Sequence, residues 1–144
     1  MKKNANKGFS LVELIIVIAI MAVLIGVLAP QFIKQVEKSR ESTDLQNIEE
    51  YKTAVETYVA ESEGVDSDIT IKLATAKGTT VSVKAGTTAL DLSAYGLSST
   101  GEFTLKSKQW AAFEWKYDKT AYTWSVDPTT AKAKYFNIDG SNAE

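Results

Sequence analysis

The chain has 144 residues, a formal net charge of −2, and neither cysteine nor histidine, which leaves room for one modest domain. These absences exclude disulfides, cysteine nucleophiles, imidazole bases and zinc sites built from thiolates or imidazoles. An acidic chain without a basic stripe also argues against nucleic acid as a primary partner. Carboxylates and serines are then the main catalytic groups left, which makes catalysis much less favoured. We therefore expect that the chain is not an enzyme and has neither catalytic residues nor a cofactor.

The first eight residues form a short basic leader ahead of a long apolar run. Three lysines lie within residues 1–8, and no charged residue occurs over residues 14–29. Residues 9–29 would span about 31 Å as a helix, which matches a hydrocarbon core of roughly 30 Å. The lysines place the N-terminus in the cytoplasm. A cleaved secretory signal peptide is the alternative, but its apolar core is shorter and small residues follow it.

Residues 31–62 have the pattern of an amphipathic helix. Apolar side chains recur at steps of three and four, namely Ile33, Val36, Ile48, Tyr51, Val55, Tyr58 and Val59. Only polar residues occur from Glu37 to Asp44, which predicts a solvated or intermolecular part of the same helix. Pro30 is the predicted helix break because proline lacks the backbone N–H. Glu63-Gly64 predicts the end of the helix.

After Gly64 the apolar period changes to two, which predicts short strands. The candidates are residues 69–73, 81–83, 102–106, 110–117, 122–126 and 131–138. Residues 90–100 are predicted to form a loop, and Asp118-Lys119-Thr120 a hairpin turn. We therefore expect an α+β fold in which residues 63–101 connect the helix to a head of residues 102–144. The head would be an antiparallel meander covered by the helix stripe of residues 45–59, while residues 9–30 would form a bare apolar stem.

Glu13 is the residue of this helix that most needs an explanation. A carboxylate at membrane depth costs a few kcal/mol, which makes it a functional candidate. No lysine or arginine follows before Lys34, roughly 30 Å further along the helix. A cut between Gly8 and Phe9 would create an α-amino group that could pair with Glu13 of a neighbouring copy. The alternative is that Glu13 lies close enough to the helix start to reach the membrane interface.

The segment Lys7-Gly8-Phe9-Ser10-Leu11-Val12-Glu13-Leu14, with the apolar run behind it, resembles the N-terminus of type IV prepilins of the short-leader class. The resemblance covers residues 1 to about 40, and beyond them only the architecture is similar. It implies a pilin-like α+β fold in which a long helix packs on a C-terminal antiparallel sheet. It also implies that a membrane aspartyl peptidase cleaves after Gly8, that Phe9 becomes N-methylphenylalanine, and that Glu13 is the assembly carboxylate. The lack of a C-terminal disulfide loop favours a Gram-positive source.

The resemblance further implies a structural subunit of a type IV pilus that supports motility, adhesion or biofilm formation. Its partners would be copies of itself, the prepilin peptidase, the assembly platform with its ATPase, and membrane lipid before assembly. The chain would be a membrane prepilin first and a cell-surface filament afterwards. A pseudopilin of a type II secretion or DNA-uptake machine remains open, as does a membrane-anchored binding protein or enzyme that never polymerises.

Three other groups of residues allow a functional and a structural interpretation. Trp110, Trp115 and Trp124 could form a sugar-binding platform, but aromatics at strand spacing more often belong to a core. Oxygen-bearing side chains near the C-terminus could ligate calcium, although the same composition is typical of a polar terminus; they are Asn137, Asp139, Ser141 and Asn142. Asp66 and Asp68 are better explained as a solvated turn.

Overall fold

The computed structural model describes residues 8–62, 68–73 and 80–143, with only the backbone of Leu73. One helix, α1 (Leu11–Glu61), precedes six strands: β1 (Ile69–Leu73), β2 (Thr80–Ala85), β3 (Thr88–Ala89), β4 (Glu102–Thr104), β5 (Phe113–Asp118) and β6 (Thr123–Asp127). A short 3-10 turn, Ser93–Tyr95, lies between β3 and β4. The chain divides into two compact units between Val36 and Glu37. The α+β fold with a long N-terminal helix and an antiparallel sheet is confirmed.

Helix α1 is continuous through Pro30. The predicted break at this position is therefore wrong for the isolated chain. Proline costs about 3 kcal/mol in a helix interior because it removes one backbone hydrogen bond, but the rest of this 51-residue helix keeps its hydrogen bonds and continues on both sides of Pro30. The helix ends at Glu61, one residue before the predicted end, and the N–H of Ser62 still donates to the carbonyl of Tyr58 at 2.9 Å. The predicted stop at Glu63-Gly64 lies outside the described residues.

The sheet has the order β3-β2-β1-β5-β6, and β4 also pairs with β2. All pairs are antiparallel. The predicted meander, in which consecutive strands are neighbours throughout, is wrong. Strand β1 lies between β2 and β5, although three other strands separate β1 from β5 in the sequence. Strands β1, β2 and β3 come from the predicted connecting region, residues 63–101, so the sheet is not confined to residues 102–144. The β5–β6 hairpin is as predicted, with Asp118 opposite Thr123.

Residues 131–138 do not form the predicted last strand. They make only two isolated bridges, Lys132 with Asn137 and Phe136 with Asn142. The physical reason is that the N–H groups of residues 134–136 all donate to the carboxylate of Glu41, so they are not available to a neighbouring strand. Tyr122, the first residue of the predicted strand 122–126, lies instead in the hairpin turn at φ 56° and is exposed, and β6 begins at Thr123.

The core of the second unit lies between the helix stripe and one face of the sheet. The stripe contributes Ile48, Tyr51, Ala54 and Val55, and the central strands contribute Ile69, Ile71, Val81, Val83, Phe113, Trp115 and Tyr117. The Tyr51 ring stacks on Phe103 with centroids 4.2 Å apart, and its hydroxyl donates to the carbonyl of Glu102 at 3.2 Å. The predicted cover of the sheet by residues 45–59 is thus confirmed.

Gly101 occupies a position that admits no side chain. Its φ is +64°, and a Cβ there would lie 2.7 Å from the carbonyl oxygen of Leu90 and 2.9 Å from that of Val83. The carbonyl of Gly101 also accepts a hydrogen bond of 2.8 Å from the N–H of Val83. We expect Gly101→Ala to lower the free energy of unfolding by about 2 kcal/mol or more, since backbone strain and steric overlap add.

The matched control for this substitution is Gly96→Ala. Gly96 also has a positive φ, +77°, but a Cβ there would meet nothing within 4 Å. Gly96→Ala should therefore lower the free energy of unfolding only by the conformational strain, about 1 kcal/mol. Thermal unfolding of the full chain in a mild detergent, followed by tryptophan fluorescence, measures both. Equal losses for the two variants would contradict the steric explanation.

Candidate functional site

The start of α1 is closed by a capping box. The Ser10 hydroxyl accepts a hydrogen bond from the N–H of Val12 at 3.3 Å, and the Glu13 carboxylate accepts one from the N–H of Ser10 at 2.9 Å. The first helical bond runs from the N–H of Leu14 to the carbonyl of Ser10. A serine followed three residues later by glutamate satisfies the free N–H groups of a helix start in this way. The helix therefore begins immediately after Ser10, and Glu13 has a local structural role.

Gly8 and Phe9 lie just outside this helix start, and both are exposed. The Phe9 side chain is 95% exposed. A Cβ placed on Gly8 would meet nothing within 4 Å, so packing within the chain does not require glycine at this position. The peptide bond between the two residues is accessible to a partner. Whether it is the cleaved bond stays a prediction.

The apolar half of α1 exposes its side chains on every face. The large hydrophobic residues from Phe9 to Ile33 are between 46% and 95% exposed. This part of the helix has a mean hydropathy of 3.1 over its most apolar window, and by length and composition it could cross a membrane. Continuous apolar surface of this extent indicates a contact with lipid or protein, because its exposure to water is unfavourable.

Glu13 lacks a cationic partner within the described part of the chain. The ion pairs found there join Arg40 to Glu37, Lys52 to Glu49 and Lys72 to Glu114. Glu13 makes only the capping bond to Ser10. The second oxygen of its carboxylate is thus free to accept a further donor from another molecule.

Asp44 is a buried acidic residue whose role the sequence did not predict. Its carboxylate is fully buried and accepts hydrogen bonds from the N–H groups of Lys106 and Ser107, at 2.7 and 2.8 Å. The indole N–H of Trp110 donates to it at 3.1 Å. Burial raises the pKa of Asp44 above its usual value, and these hydrogen bonds oppose part of that shift. Asp44 therefore fixes the loop between β4 and β5 on the helix.

Glu41 and Glu37 do the same for neighbouring parts of the head. The fully buried Glu41 carboxylate accepts three backbone N–H groups, from residues 134, 135 and 136, at 3.1, 2.7 and 3.1 Å. Glu37 accepts the hydroxyl of Ser107 at 2.6 Å. We call Glu37, Glu41 and Asp44 the carboxylate clamp. The prediction that residues 37–44 are solvated or intermolecular is therefore wrong for these three side chains.

The spacing of the clamp is the signal that could have revealed it. Glu37, Glu41 and Asp44 continue the steps of four and three residues that relate Ile48, Tyr51 and Val55. They therefore lie on the same helix face as the buried stripe. Apolar periodicity counts hydrophobic residues only, so it assigns acidic residues in the same register to solvent.

The other sequence candidates have structural explanations. Trp110 and Trp115 are buried, and Trp124 packs against the core, with its ring edge-on to Trp115. The core interpretation of the tryptophans is thus confirmed. Near the C-terminus, the Asn137 amide donates to the hydroxyl of Ser141 at 2.8 Å, and the N–H of Ser141 donates to Asp139 at 2.9 Å. Asp68 is exposed ahead of β1, while Asp66 lies outside the described residues.

Comparison with known proteins finds a family-model match to the N-terminal segment and several similar proteins. Residues 3–29 match the family model described as the prokaryotic N-terminal methylation motif. The chain is 36% identical over 78 residues to the prepilin peptidase-dependent protein A of Clostridium perfringens, which is 54% of this chain and 55% of that protein. It is 33% identical over 64 residues to the type IV major fimbrial protein FimA of Dichelobacter nodosus, 44% of this chain and 40% of that one.

A further similarity is to the type IV major pilin protein PilA of Myxococcus xanthus, at 36% identity over 58 residues, 40% of this chain and 26% of that protein. The chain thus spans about half or less of the length of the curated relatives that it matches. No solved structure matches the chain significantly. The similarity therefore covers only part of each of these proteins.

Proposed function

We propose that this chain, a type IV pilin-like protein, is the structural subunit of a type IV pilus. The observation that carries the proposal is the joint occurrence of the N-terminal methylation motif and a helix whose apolar half is exposed on all faces. A monomer in water could not keep such a surface. A bilayer can cover it first, and the helices of neighbouring copies can cover it later.

The first step of the proposed function is cleavage between Gly8 and Phe9. Both residues lie outside α1 and are exposed, so a membrane peptidase could reach the bond without unwinding the helix. Removal of residues 1–8 takes away three lysines and creates a new α-amino group on Phe9. Methylation of that amine would keep its positive charge.

The second step is assembly through the N-terminal helix. In an apolar environment the new amine of one copy and the Glu13 carboxylate of another would neutralise each other. The carboxylate has capacity for this contact in addition to its bond to Ser10. The pair would align neighbouring helices along the filament axis, because an unpaired charge at this depth costs several kcal/mol.

Transfer of the helix from membrane to filament needs an external source of energy. Lipid tails already cover the apolar surface, so packing against other helices provides little hydrophobic gain. We therefore include an assembly platform and its ATPase among the partners, together with the prepilin peptidase. The precursor would lie in the cytoplasmic membrane and the product on the cell surface, in support of motility, adhesion or biofilm formation.

Mass spectrometry of the protein sheared from the cell surface tests the proposed processing. The expected mature chain begins at Phe9 and carries one additional methyl group. Gly8→Val should leave residues 1–8 attached, because a branched side chain would obstruct the peptidase while meeting no atom of this chain within 4 Å at its Cβ. A mature N-terminus at any other residue would remove the basis of the proposal.

A further inference from the structure

An acidic groove lies along the outer side of α1 in the second unit. It has a volume of about 990 Å³, and its lining includes Glu49 and Glu50 on the helix and the half-buried rings of Tyr95 and Phe136. Glu50 is exposed and makes neither a hydrogen bond nor an ion pair with any residue that the structure describes. The groove thus combines apolar side chains with an uncompensated negative charge, which suits a ligand carrying an ammonium group on an apolar stem.

Two loops of the same unit carry the opposite charge. Lys106 and Lys108 are exposed on one, and Lys132 and Lys134 on the other. We call residues 106–108 and 132–134 the lysine loops. None of these four lysines forms an ion pair within the described ranges of the chain, and neither residues 103–113 nor residues 128–138 contain aspartate or glutamate.

The carboxylate clamp holds these loops in place. Asp44 binds the N–H of Lys106, and Glu41 binds the N–H of Lys134. The N–H of Ala111 also donates to the carbonyl of Lys132 at 3.4 Å, which joins the two segments. In each loop the residue between the two lysines, Ser107 or Ala133, is buried. The lysines are therefore displayed outwards from a fixed backbone, which lowers the entropy cost of binding.

We propose that the acidic groove receives the lysine loops of a second copy of this chain. This inference rests on the proposed function, because a filament of one subunit type requires a heterologous contact in which two different surfaces of the same chain are complementary. The groove and the loops are such a pair, opposite in charge and present on every copy. Charge complementarity of this kind fixes register and orientation between subunits.

The positions along α1 give the stagger that the contact requires. The lysine loops are anchored at Glu41 and Asp44, whereas the acidic wall of the groove is at Glu49 and Glu50. The separation of five to nine residues corresponds to about 8–14 Å along the helix axis. Two parallel copies shifted by roughly 10 Å would bring the loops of one to the same height along the helix axis as the acidic wall of the other.

Charge reversal in the full chain, expressed in cells that assemble the filament, tests this contact. Glu50→Lys and Lys134→Glu are each expected to reduce sheared surface filament by roughly three- to tenfold, because each places like charges across the contact. Combining the two restores the opposite charges and should bring the yield back to within about twofold of the unmodified chain. Lys116→Glu changes the same charge on an exposed position of β5, away from both surfaces, and should leave the yield unchanged.

Carbodiimide treatment of unmodified filaments provides an independent measurement. The reagent joins a lysine amine to a carboxylate only where the two touch, with loss of water. We expect covalent dimers in which Glu49 or Glu50 is linked to a lysine of the lysine loops. Dimers linked only through other residues, or charge reversals that do not rescue each other, would overturn the groove contact while leaving the pilus subunit proposal intact. Absence of filaments from the unmodified chain would instead contradict the proposed function.

Discussion

Glu41→Ala is expected to lower the free energy of unfolding of the head by about 4 kcal/mol, a large part of the roughly 5–15 kcal/mol that stabilises a typical domain. The substitution removes the buried acceptor of three partly buried backbone N–H groups. Each unsatisfied buried donor costs about 1–3 kcal/mol, although entering water can recover part of the loss. Residues 131–138 should detach first, because Glu41 holds the centre of this segment.

Urea unfolding of the full chain in a mild detergent, followed by tryptophan fluorescence, measures this loss. Trp110 is a suitable reporter because its indole N–H is bound to Asp44, the neighbouring member of the clamp. Glu50→Ala is the matched control: it removes an exposed glutamate from the same helix and should change the stability by less than about 0.5 kcal/mol. Similar midpoints for the two variants would mean that Glu41 contributes no more than a surface charge.

The sequence was sufficient to predict the parts of the fold that depend on apolar periodicity. The steps of three and four residues from Ile48 to Val55 identified the helix face that covers the sheet, and the alternation at Phe113, Trp115 and Tyr117 identified the buried face of β5. These signals are local. The residues three or four positions away in a helix, or two positions away in a strand, indicate which face is buried, and no distant partner needs to be known.

The order of the strands and the fate of residues 131–138 could not be predicted in the same way. Both depend on partners far apart in sequence: β1 pairs with β5 across forty or more residues, and residues 134–136 donate hydrogen bonds to Glu41. The predicted strand of residues 131–138 does not form, because the N–H groups of residues 134–136 donate to the buried Glu41 carboxylate, while those of Ala131 and Ala133 donate to the carbonyls of Pro128 and Phe136. The sequence feature that indicated this contact was Glu41, a charged residue in register with the apolar stripe of the helix.

The candidate processing site stays a prediction: Gly8 and Phe9 are implied by the resemblance of residues 7–14 to type IV prepilins, and the family model covers the same segment. Glu13 was singled out as a charge inside an otherwise apolar helix. The capping box was not predicted, although Ser10 and Glu13 have its spacing. It gives Glu13 a role within the chain, so a loss of function on replacing Glu13 has two explanations: a lost charge between copies, or a frayed helix start.

Replacing Glu13 with alanine and, separately, with glutamine distinguishes these explanations. Alanine removes both the charge and the acceptor for the N–H of Ser10, and we expect it to abolish incorporation into surface filaments. Glutamine keeps an acceptor at the same reach and still completes a capping box, but it cannot neutralise the amine of Phe9. If the carboxylate acts by pairing with that amine, glutamine should fail as alanine does, with incorporation reduced at least about a hundredfold, since an unpaired buried charge costs roughly 3–5 kcal/mol.

Immunoblotting of sheared filaments against the membrane fraction measures incorporation, and tryptophan fluorescence of the membrane form serves as the control that the head remains folded. Ser10→Ala completes the set, because it removes the hydroxyl that caps Val12 and leaves the Glu13 charge in place. Helix capping at this position is worth only about 1 kcal/mol, so this variant should still assemble. Normal filaments from Glu13→Gln together with a defect in Ser10→Ala would reverse the assignment, making Glu13 a determinant of where the helix begins and not of how copies pair.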